Sequence, residues 1–142
     1  MNKLTFAVLR AANRARIPQF KDCHGRTAHG AVDGSDWSPA QWLQAVVGEL
    51  GEYANIRKKF ERGDLTFEQY APMAAKELAD VQIYLDLLAQ RALDYDVPQG
   101  ARMVHPDGID LGAAVVAKFN EVSVRVGATV EILDHGAAWT KD

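Results

Sequence analysis

A chain of 142 residues, 48% apolar and 25% charged, has the make-up of one globular domain with a core of its own. Its net charge of −3 gives no electrostatic reason to wrap nucleic acid, and no apolar run approaches the ~20 residues that span a bilayer, so neither nucleic acid nor membrane is an expected partner. The single cysteine, Cys23, excludes an internal disulfide, and the N-terminus lacks a signal-peptide pattern, so the expected location is a reducing cytoplasm.

The pattern predicts four helices and no convincing strand pair, an all-α fold. The first helix, about Leu4 to Ile17, carries Leu4, Val8, Leu9, Ala11 and Ala12 at helical spacing and stops at Pro18. A polar, Gly-rich stretch follows from Gln19 to Asp36. Ser38, Pro39 and Gln41 then make a capping box that opens the second helix, which runs through Trp42, Val46, Leu50, Tyr53, Ile56 and Phe60 to a stop at Gly63. The third begins near Thr66, or after Pro72 if that proline breaks its first turns, and runs to about Arg91. Residues 93–108 read as a loop rich in Pro, Gly, Asp and His. Asp110 caps a fourth helix that ends at Gly127, and the tail from Ala128 to Asp142 is weakly patterned enough to fray. The whole is expected to be an antiparallel bundle of about four helices.

Two acidic pairs stand out, Glu49-x-x-Glu52 on the second helix and Glu77-x-x-Asp80 on the third. Stepping about 100° per residue, Trp42, Tyr53, Ile56 and Phe60 fall within about 40° of Glu49. Met73, Val81, Tyr84 and Leu88 fall within about 40° of Glu77, so both pairs lie inside apolar arcs rather than opposite them. If both stretches are helical, each pair lies about 15 Å from the connecting turn, and the pairs stand abreast across an antiparallel interface. At ~5 Å and an effective dielectric of about 20, two such carboxylates repel by roughly 3 kcal/mol, so protonation or a cation must relieve the cluster. All-oxygen ligands favour a hard ion, magnesium or manganese before zinc. A di-iron site would call for two Glu-x-x-His motifs, and none of His24, His29, His105 and His135 follows a glutamate by three.

Glu-x-x-Glu, a 24-residue spacer and Glu-x-x-Asp, in that order on helices, resemble the all-α NTP pyrophosphatase superfamily. Glu49-Leu50-Gly51-Glu52-Tyr53-Ala54-Asn55, Lys76-Glu77-Leu78-Ala79-Asp80-Val81 and Lys118-Phe119-Asn120-Glu121-Val122-Ser123-Val124-Arg125 look like its MazG-like branch, over roughly residues 36–127. The resemblance implies a helical core completed as a homodimer or homotetramer. It also implies hydrolysis of nucleoside triphosphates to monophosphate and pyrophosphate. Glu49, Glu52, Glu77 and Asp80 would be the catalytic carboxylates and ligands of Mg2+ (or Mn2+), and Lys118, Asn120 and Arg125 would contact phosphate or sugar. The family-like domain would span residues 1–127, with an insertion at about 94–107, followed by a tail over 128–142. Gly48 departs from the adjacent glutamates that commonly open the first motif. That departure is the strongest argument for the alternative, a helical protein that binds nucleotide or metal without turnover.

Other residues carry weaker signals. Trp42 and Trp37 are candidate base stackers, although a helical tryptophan is more often core. Lys58, with Lys59 and Arg62, is a candidate phosphate contact or simply a complement to the helix dipole. Tyr84, one turn after Asp80, is a candidate neighbour of the site. Cys23, His24 and His29 are too few for an ordinary structural zinc site.

Overall fold

A computed structural model describes residues 4–27, 37–133 and 138–140. The first helix, α1 (Phe6–Arg16), starts where the Thr5 hydroxyl accepts the Val8 amide at 3.2 Å. It runs on into a 3-10 turn, Ile17–Gln19. The α-helix thus ends just ahead of Pro18, as expected, and the proline sits at the start of the short 3-10 turn, where a missing amide costs no intrahelical bond.

Ser38 and Gln41 form the expected capping box, and α2 runs Pro39–Glu61. A second capping box, Thr66 with Gln69, opens α3 (Phe67–Arg91) ahead of Pro72. The proline lies inside the helix. It removes one amide, the one that would reach the Glu68 carbonyl, and the capped first turn survives that single loss. Gly63, at φ 82°, takes the left-handed conformation in the short connection between the two helices.

These two helices form an antiparallel pair. Phe60 stacks on Tyr70 at the turn end, with ring centroids 4.5 Å apart, and Trp42 meets Tyr84 at the far end, 6.3 Å between centroids. The core is accordingly split in two. Ile17, Trp42 and Leu87 are buried together at the far end, while Ile56, Tyr70 and Ala74 are buried near the turn.

The first helix docks on α3 through polar groups. Asp86, 1% exposed, accepts from Arg10 Nε at 3.0 Å, from Asn13 Nδ2 at 2.9 Å and from Gln90 Nε2 at 2.9 Å. Leu9 is buried on this helix, but Leu4 and Val8 face outward, so the apolar stripe seen in the sequence is not the whole docking face. The bonds from Arg10 and Asn13 cross between the helices and fix the rotation of α1, while Gln90, on α3 itself, holds the carboxylate in place.

Between α3 and the last helix the chain contains a small antiparallel pair, β1 (Tyr95–Asp96) and β2 (Arg102–Met103), where the sequence suggested loop only. Gly108, at φ 60°, then passes so close to α3 that an added Cβ would lie 2.6 Å from the Ala89 carbonyl oxygen. That close approach lets the Ile109 amide donate to the same carbonyl at 2.8 Å. Asp110 caps α4 (Leu111–Val126), and Gly127, at φ 69°, ends it. Within the stretch expected to fray, the described residues form a second antiparallel pair, β3 (Val130–Ile132) with β4 (Ala138–Thr140), and residues 134–137 and 141–142 lie outside the described residues. The Asn120 amide holds β3 to α4, donating to the Ile132 carbonyl and accepting the Ile132 amide, both at 2.9 Å. The fold is all-α with two short hairpins. Its fourth helix packs chiefly on β3 and α1, whereas the closest helix packing is between α2 and α3.

Candidate metal centre

The acidic pairs occupy the gap between the two core clusters of the α2–α3 pair. Trp42 lies on one side of Glu49 and Glu52 along α2, and Ile56 lies on the other. Ala74 and Leu87 bracket Glu77 and Asp80 along α3 in the same way. The antiparallel pairing closes the remaining distance, so that one carboxylate oxygen from each of Glu49, Glu52 and Glu77 lies within 4.8 Å of the others. Asp80 falls outside that group but adjoins it, and its charge acts directly on Glu49.

Electrostatics follow from this crowding. Glu49 is pushed above the ordinary glutamate range, first by partial burial and then by the charges of Asp80, Glu52 and Glu77. Glu49, Glu77 and Asp80 are half-buried, while Glu52 is exposed. One side of the cluster is therefore open to solvent, which screens the repulsion there. The donor set is carboxylate oxygen alone, without nitrogen or sulfur. That chemistry fits a hard cation that keeps part of its water shell, as magnesium does, and the open side leaves room for that water. Among the described residues no other group of three or more potential ligands gathers in this way. His29 lies outside the described residues. Asp22 closes the loop around Cys23 by accepting the amides of His24 at 2.8 Å and Arg26 at 3.0 Å.

No family model matches the chain, and neither the curated proteins nor the solved structures contain a match.

The remaining candidate residues divide by location. Tyr84 adjoins the cluster. Its hydroxyl is held above the usual tyrosine range, mainly by burial and then by Glu49 and Asp80, so it stays a hydrogen-bond donor at neutral pH. Trp42 is 1% exposed and packs edge-on against Trp37, with ring centroids 4.9 Å apart, so it is built into the core. Lys58 is exposed in the last turn of α2, where its charge complements the helix dipole. On α4, Lys118 is exposed and pairs with Glu121 at 2.6 Å, and Arg125 is exposed in the last turn. The Asn120 amide is engaged by β3 through both its nitrogen and its oxygen.

The structure also brings forward neighbours of the site that helical arcs by themselves do not pair. A cavity of about 200 Å³ opens beside Asp80 and Tyr84, and Arg16 and Phe20 from the end of the first helical segment help to line it. On the side toward the turn, Tyr53, one helical turn after Glu49, donates to Tyr70. That bond, with the one from Arg57, lowers the Tyr70 hydroxyl below its usual range. Tyr53 lies in the apolar arc of α2, but its pairing with Tyr70 depends on the register of two helices.

Proposed function

We propose that this chain is a MazG-like, magnesium-dependent nucleoside triphosphate pyrophosphohydrolase, converting a (d)NTP and water to a (d)NMP and pyrophosphate. The observation that carries the reading is the convergence of Glu49, Glu52 and Glu77 within 4.8 Å, in a gap between two apolar clusters and with Asp80 beside them. Carboxylates crowded this closely oppose folding unless something offsets their repulsion, and such arrangements are commonly functional. Magnesium, or manganese in its place, would supply neutralisation of the triphosphate and a more acidic bound water.

The chain's own groups divide the remaining work. Glu49 and Glu77, half-buried and facing one another across the helix pair, fix the geometry of the ligand set. Glu52, on the open side, is the group this reading assigns to accept a proton from water as the water oxygen bonds to the α-phosphorus. The bond from that phosphorus to the bridging oxygen breaks, and pyrophosphate leaves. Tyr84 can donate a hydrogen bond at the edge of the cluster. Lys118 and Arg125 on α4, with Lys58 on α2, are the exposed cations this reading assigns to phosphate.

The test is release of pyrophosphate from a panel of NTPs and dNTPs with and without magnesium. Glu49→Gln and Asp80→Asn should each abolish turnover while far-UV circular dichroism stays unchanged. Near-normal rates in both variants at saturating magnesium would overturn the assignment. Saturable nucleotide binding with no pyrophosphate release by the unaltered chain would favour a binding protein instead.

A further inference from the structure

The cavity beside Asp80 has a construction of its own. Its floor is formed by Ile17, Trp42 and Leu87, all buried, and its accessible edge carries Phe20, Tyr84, Arg16 and Asp80. The guanidinium of Arg16 lies 5.5 Å from the Phe20 ring centroid, and its Nη2 donates to Asn13 Oδ1 at 3.2 Å. These contacts hold the cation at the rim. An apolar floor with aromatic side chains at its edge suits a flat ring. A fixed cation, a carboxylate and a phenol at the same edge can hydrogen-bond the polar substituents of such a ring.

Size narrows the class. The volume of about 200 Å³ is below the ~300–1,000 Å³ of pockets that enclose drug-sized ligands, so one ring fits it better than two. Position supplies the connection. Asp80 borders the cavity and adjoins the carboxylate cluster, so the sugar and phosphates of a nucleotide whose ring is seated there would have the cluster within reach. We propose that this cavity seats the base of a pyrimidine nucleotide, with Arg16 and Phe20 from the first helical segment completing a site whose metal end is built by α2 and α3. The proposal deepens the pyrophosphohydrolase reading and rests on it for the direction of the phosphates.

The test uses nucleosides, which lack phosphate, so that ring binding is measured without the metal. The full chain, in excess EDTA, is titrated with cytidine, uridine, adenosine and guanosine and followed by NMR, including the indole N–H signals of Trp37 and Trp42. The pyrimidine nucleosides should shift these signals saturably and bind at least tenfold more tightly than the purine nucleosides. Phe20→Ala and Arg16→Ala should each weaken that binding tenfold or more. Phe20 is 36% exposed, so its truncation leaves the core intact, and circular dichroism checks both variants. Purine binding as tight as pyrimidine binding, unchanged affinity in both variants, or no binding would each overturn the proposal. If pyrophosphate release proceeds and Glu49→Gln abolishes it while nucleosides fail to bind, the hydrolase reading stands and the base slot falls. The opposite pattern removes the hydrolase reading and keeps the slot.

Discussion

At the scale of single residues, Glu49 shows the consequences of the cluster most directly. Its carboxyl is raised above the ordinary range by burial and by three neighbouring carboxylates, so the folded chain holds that proton more tightly than the unfolded one. The sign follows: the Glu49 contribution to stability is present at pH below its unfolded pKa and is lost as pH rises through its folded pKa. At neutral pH the raised Glu49 pKa therefore counts against folding in the metal-free chain. Glu49→Gln should raise the Tm of the EDTA-treated protein at pH 7, and it should remove the further rise that magnesium gives the unaltered chain. Differential scanning calorimetry checks both, and a lower metal-free Tm with the magnesium effect intact would count against the cluster as a metal centre. The four acidic positions were legible because helical periodicity places them inside apolar arcs. Asp86 was not singled out, although Arg10, Asn13 and Arg14 share one face of α1 at three- and four-residue spacing and mark where a buried carboxylate is needed. A polar stripe has a docking role only when its partner across the interface is known.

At the scale of elements, the capping box of α2 and the N-cap of α4 depend on residues three apart, so local sequence was enough to place them. The glycines show where local sequence was insufficient. Gly48 lies in the middle of α2, exposed, with nothing within 4 Å of an added Cβ, whereas Gly108 has a positive φ and would drive a Cβ into the backbone of α3. Gly48→Ala should therefore raise unfolding free energy by about 0.5–1 kcal/mol, through helix propensity and a less flexible unfolded chain. Gly108→Ala should lower it by about 1–3 kcal/mol or more, from backbone strain alone. Urea unfolding measures both, and changes of the same sign would contradict this account of the two positions. The β3–β4 pair belongs to the same scale. Its strands are three residues each and carry little pattern, and the Asn120 clamp that holds β3 in place comes from a helix rather than from the strands.

At the scale of the whole molecule, apolar surface remains on several helices. Leu43, Val47 and Leu50 follow one side of α2 and are about half exposed, as is Leu78 on α3, and Val115, Phe119 and Val124 on α4 are likewise open. Single exposed leucines are ordinary, but side chains repeating along a helix at three- and four-residue spacing form a continuous strip, and such strips commonly meet a second copy. Light scattering at micromolar concentration should give a dimer or larger assembly. Replacing Leu43 and Val47 together by lysine should shift it toward monomer without loss of helicity. A monomer before any substitution would argue against a shared interface.

The sequence by itself determined the helices, most of their ends and the four acidic positions, because caps, periodicity and breakers act over three or four residues. Tertiary structure decided which of those positions meet. The convergence of Glu49, Glu52 and Glu77 depends on the register of α2 against α3, set by two separated apolar clusters and a short turn. The placement of α4 on β3 and α1, the use of Asn120 as a clamp and the cavity completed by Arg16 and Phe20 rest on contacts between residues far apart in the chain. Such contacts carry no local signature, since burial and hydrogen bonding across elements depend on where the partner surface lies.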